Sequence, residues 1–91
     1  MTDYARESTP IARKRYRCDA AAAISASNYD EQDFDPDDWR IIQQAAAAGN
    51  AILPGTRYVL QIGIWEGNWY AFRARPDLHG ICLKYDLYGA P

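Results

Sequence analysis

The 91-residue sequence predicts an α+β domain, an antiparallel β-meander packed against one main helix. Two local patterns carry that expectation: a well-marked helix start at Asp35-Pro36, and alternating apolar residues on both sides of Glu66-Gly67. Size is the third observation. A chain of 91 residues encloses one core, and 48% hydrophobic residues, twelve of them aromatic, suffice to fill it.

Residues 1–12 are polar and read as a flexible arm. From Arg15 to Ser27 apolar and polar residues alternate, with Tyr16, Cys18, Ala20, Ala22, Ile24 and Ala26 in phase. Period two predicts a fourth, N-terminal strand, while the many alanines favour a helix; the alternation is given precedence. A polar acidic connection over 27–35 leads to Asp35 as helix cap and Pro36 at the first helical position, with Asp37 and Asp38 at the positive end of the helix dipole. The helix is expected to reach about Ala48 and to stop at Gly49. Trp39, Ile42 and Ala46 form its buried stripe, and Asp37, Arg40, Gln44 and Ala47 its polar face.

Three C-terminal strands are expected after the Pro54-Gly55 turn, over about Thr56–Trp65, Asn68–Arg75 and Gly80–Tyr88. A three-residue loop, Glu66-Gly67-Asn68, would set Trp65 opposite Trp69 and bring Ile62 and Ile64 onto the same face as Tyr70 and Phe72. Ile81, Leu83, Tyr85 and Leu87 would complete that core face. Arg57, Val59, Gln61, Trp65, Trp69, Arg73, Arg75, Lys84, Asp86 and Tyr88 would then occupy the opposite one.

No apolar stretch near the start serves as a signal peptide, and none approaches the ~20 residues of a membrane span, so a cytoplasmic protein without membrane contact is expected. No metal, cofactor or catalytic motif stands out. His79 is the sole histidine and lies near no nucleophile motif. Asp33-x-Asp35-x-Asp37 begins like a calcium loop, but Asp38 and Gln44 stand where glycine and glutamate are needed. Cys18 and Cys82 have neither the spacing of a zinc site nor the density of a disulfide scaffold, and are expected to stay reduced.

Charge is more informative. Net charge is −2, but residues 1–17 carry +3, residues 18–38 carry −7, and the remainder +2. Asp30, Glu31, Asp33, Asp35, Asp37 and Asp38 place six carboxylates in nine residues, and a helix start accounts for only three. Such a cluster suits a basic surface on a partner protein. The Trp65, Trp69, Arg73 and Arg75 face is the second candidate, fit either for a protein or for single-stranded nucleic acid, where bases stack and phosphates meet arginine. Small size, the Asp30–Asp38 run and the helix-plus-meander plan make the chain similar in style to small phage-encoded inhibitors of the anti-CRISPR kind. That resemblance implies an inhibitor occupying a protein surface that normally receives nucleic acid; it assigns no residue. The expectation is a non-enzymatic protein-binding module, with single-stranded nucleic-acid binding second and a small enzyme third.

Overall fold

The computed structural model describes residues 4–88. In chain order the elements are β1 (Tyr4–Ser8), β2 (Tyr16–Arg17), α1 (Asp19–Ala26), a 3-10 turn (Glu31–Asp33), α2 (Pro36–Ala47), β3 (Ala51–Ile52), β4 (Val59–Trp65), β5 (Asn68–Ala74) and α3 (Pro76–Lys84). β1, β4 and β5 form an antiparallel sheet with β4 central, and β2 pairs with β3. The class is α+β with an antiparallel sheet. Its parts come from different places than the sequence suggests.

The third strand is β1, drawn from the segment read as an arm, whose first three residues lie outside the described residues. An edge strand needs backbone pairing more than apolar side chains; Arg6, Glu7 and Ser8 are exposed yet lie opposite Ile62, Gln61 and Leu60. The connection is pinned too: the Ala12 amide donates to the Thr56 carbonyl at 2.8 Å, and the Gly55 amide to the Ala12 carbonyl at 2.8 Å.

Residues 15–26 are not one strand. Only Tyr16 and Arg17 pair with β3, and the alanines then prevail as α1, which buries Ala20 and Ala21. The alternation misleads because small alanines occupy every side of this helix, leaving no distinct stripe.

The expected strand over Gly80–Tyr88 is instead mostly α3. Pro76 stands in its first turn, and Leu78, Ile81 and Cys82 form a buried stripe at helical spacing. Leu83, counted as core under strand alternation, is 63% exposed.

α2 matches expectation within a residue. Ala45 is fully buried, Trp39, Ile41 and Ile42 are half-buried, and Asp37, Arg40, Gln44 and Ala47 are exposed; Ala46 is exposed as well. Its N-terminal end is held by aromatic packing, with buried Phe34 stacked on Trp39 at 6.0 Å and edge-on to Tyr85 at 4.9 Å. Gly49 ends the helix region at φ +80°, where the Arg15 guanidinium lies 2.8 Å from the place a β-carbon would take. The left-handed backbone is what favours glycine here, since the guanidinium is the free end of an exposed side chain and can move aside.

The hairpin register also differs. Glu66 and Gly67 alone make the turn, at φ 50° and 82°, so Trp65 pairs with Asn68 and Ile64 with Trp69. Two consecutive left-handed residues match the twist of the strands, which favours this two-residue turn over the longer loop. One residue of slip moves Trp69 to the other face.

Candidate interaction surface

The acidic segment is largely engaged within the molecule. Asp30 caps the 3-10 turn, accepting from the Gln32 amide at 2.9 Å, while the Asp30 amide donates to Asp33 at 2.8 Å. Lys84 donates to Asp35 at 2.7 Å and Asp38 at 2.8 Å, and the Tyr85 hydroxyl donates to Asp38 at 2.8 Å. Asp35 occupies the cap position of α2, but its side chain makes no capping bond and takes the lysine instead. Asp37 pairs with Arg40 at 3.6 Å. The Lys84 and Tyr85 hydrogen bonds hold the Asp38 carboxyl below its ordinary pKa, while Asp35 and then Asp38 hold the Lys84 ammonium above its own. Glu31 alone of the six carboxylates has no hydrogen bond or ion pair among the described residues. Asp35 and Asp38 fasten α3 to the start of α2, and Asp30, Glu31, Asp33, Asp35 and Asp37 remain exposed to solvent.

The sheet has two unequal faces. Cross-strand partners share a face, so the register groups Glu7, Val59, Gln61, Gly63, Tyr70, Phe72 and Ala74 on one side. α3 covers the base of that side, where Val59 and Ala74 are buried and Phe72 packs edge-on to Tyr88 at 5.4 Å. Arg6, Ser8, Leu60, Ile62, Ile64, Trp69, Ala71 and Arg73 share the other. Among the described residues the cover lies at its base, where buried Tyr58 meets the Tyr16 ring at 5.4 Å. Toward the turn the cover ends: Leu60 is half-buried, Ile62 is 42% exposed and Trp69 69% exposed. The molecule measures 40 × 33 × 16 Å, and a slab that thin leaves little depth for a second layer over both faces of a sheet.

Of the expected sheet-face residues, the structure keeps Trp69 and Arg73 together and separates the rest. Trp65 falls at a register position of the opposite face, and its side chain lies outside the described residues. Arg73 is half-buried, its guanidinium 4.7 Å from the centre of the Tyr16 ring, with Lys14 reaching the same ring at 5.5 Å. Arg75 turns into α3 and makes a two-point pair with Asp77 at 3.2 and 3.1 Å. Lys84 belongs to the acidic cluster. Arg6, Lys14, Tyr16, Ile62 and Ala71 complete the surface and are not legible as site residues in the sequence; recognising Glu-Gly as a two-residue turn would have placed Trp69 beside Ile64.

Other features hold no chemical constellation. A hollow of about 470 Å³ is rimmed by Arg15, Arg17, Ser25 and Asn50 and presents no acid–base pair. Another, of about 390 Å³, includes His79 and Tyr88, which share a hydrogen bond of 2.8 Å; burial holds the Tyr88 phenol well above its ordinary pKa, so it stays protonated. Cys18 and Cys82 are buried and unpaired. Cys18 precedes α1 and Cys82 lies on α3: the Arg75 amide donates to Cys18 sulfur at 3.2 Å, and the Cys82 thiol points at the Ala20 carbonyl at 3.5 Å. Burial raises the Cys82 pKa, which makes it a poor nucleophile. Among the described residues no three His, Cys, Asp or Glu side chains gather as a metal site, and no helix is long and apolar enough to cross a membrane. No family model matches the chain, and no curated protein or solved structure matches it either.

Proposed function

We propose that this protein is a non-enzymatic protein-binding module that docks through the open sheet face, with Trp69 and Ile62 as anchors. The observation that carries this reading is their shared exposure, on a face that the described residues cover at its base. Exposed apolar groups of this kind, set among polar ones, mark interaction sites. The occupant is a protein offering an apolar pocket edged by carboxylates, because Arg6 and Lys14 flank the face and neither makes an ion pair among the described residues. The anti-CRISPR-like reading, in which the acidic segment engages a basic partner, ranks behind it here because Lys84 already pairs with Asp35 and Asp38, although Asp30, Glu31, Asp33 and Asp37 stay exposed. Action as an inhibitor remains compatible with the open face. Two buried, unpaired thiols accord with a cytoplasmic setting.

One observation favours a second reading, single-stranded nucleic acid: Lys14, Tyr16 and Arg73 stack together on the same face as Trp69. It ranks lower. Tyr16 already receives both cations, which leaves Trp69 as one free ring where successive bases need several, and Ile62 and Ile64 lie between the two. Titration with a fluorescent single-stranded oligonucleotide separates the two. The protein-binding reading expects no saturable binding at physiological salt, and salt-sensitive binding lost in Trp69→Ser would favour nucleic acid.

A further inference from the structure

We propose that the chain self-associates through the outer edge of β5, pairing Trp69 of one copy with Ala71 of a second in a continuous antiparallel sheet. This inference stands apart from the choice of partner for the open face. The Arg73 amide donates to Asp19 at 3.0 Å and the Arg75 amide to Cys18 sulfur, so both point away from β4. Backbone groups alternate along a strand, which turns the amides and carbonyls of Ala71 and Trp69 outward as well. Among the described residues nothing hydrogen-bonds to them, and residues 68–71 are all exposed.

Proteins blunt such edges with charge, proline or a bulge. Asn68, Trp69, Tyr70 and Ala71 supply none of these, while α1 closes the edge only from Arg73 onward. The open stretch is therefore short and bounded, by Asp19 on one side and the Glu66-Gly67 turn on the other. A two-fold axis beside Tyr70 sets Trp69 opposite Ala71 twice, and those two pairs satisfy all four outward amides and carbonyls. The edge matches itself in length and hydrogen-bonding pattern. Charge does not oppose it, because Glu66 is the sole charged residue between Trp65 and Phe72. In the pair Trp69 would lie over Ala71 of the copy, while Ile62 on the central strand and Arg6 on the far edge strand stay open. So short a contact belongs with weak, concentration-dependent association.

Analytical ultracentrifugation up to about 1 mM chain, paired with amide exchange, tests this. The expected result is a mass rising with concentration from 10.3 kDa toward twice that value. Exchange at Trp69 and Ala71 should slow in step, while the Tyr70 amide, already turned toward Gly63, should not change. Ala71→Pro removes an outward amide and spares the β4 ladder, so it should leave a folded monomer. Ala71→Lys supplies the same answer through charge if the proline perturbs the strand. A monomer at every concentration, or association that persists in both variants, would overturn the proposal.

Discussion

Lys84 decides how the acidic segment behaves, because one ammonium takes both Asp35 and Asp38 from an element distant in sequence. A carboxyl held below its unfolded pKa stabilises the fold above that value, about 3.9, and the contribution is lost as pH falls through the folded value. Asp38→Asn should therefore be less stable than the parent at neutral pH, by about 1 kcal/mol. The difference should shrink as pH falls through the lowered Asp38 value, where the aspartic acid becomes as neutral as the asparagine. Urea unfolding midpoints from neutral to acid pH measure this, and a constant gap across the range would refute the pairing. Gly49 makes a second residue-level prediction. Gly49→Ala should cost about 1–2 kcal/mol from the left-handed backbone alone. Adding Arg15→Ala should recover only the part due to the 2.8 Å approach, which a double-mutant cycle separates.

The helix α3 is the element on which the fold turns, packing against α1 and reaching the start of α2. Leu78 is its most informative side chain, being large, apolar and 1% exposed. Leu78→Ala should destabilise by about 3 kcal/mol through lost burial and an unfilled cavity, read by denaturant unfolding with an unchanged slope. This element shows where sequence reading fails. Ile81, Leu83, Tyr85 and Leu87 alternate like a strand, yet Leu78, Ile81 and Cys82 carry an equally valid helical stripe, and Pro76 after Arg75 is a helix-start signal. α2 was legible because its cap, proline and stripe agree. α1 was not, since alanines fill both periodicities, and β1 was not, because its pairing is carried by backbone rather than side chains. The candidate surface was half legible. Trp69 and Arg73 could be singled out by residue type, but their face depended on a one-residue difference in the turn.

At the scale of the whole molecule, charge and apolar surface are divided. Asp35 and Asp38 meet at Lys84 and join α2 to α3, while Ile62 and Trp69 stand exposed on the far face of the sheet near Arg6 and Lys14, which have no carboxylate partner among the described residues. Removing the exposed anchors should hardly affect folding: Trp69→Ser should shift stability by no more than about 0.5 kcal/mol, as for other surface positions. The most direct test is the affinity of a purified partner, first captured on the immobilised protein after nuclease treatment, for three forms of the chain. Against the parent, Trp69→Ser combined with Ile62→Lys should weaken binding at least about tenfold, while Asp30→Asn with Glu31→Gln and Asp33→Asn should leave it within about twofold. Loss of binding in the acidic variant with full affinity in the Trp69 and Ile62 variant would contradict the open sheet face as the docking surface.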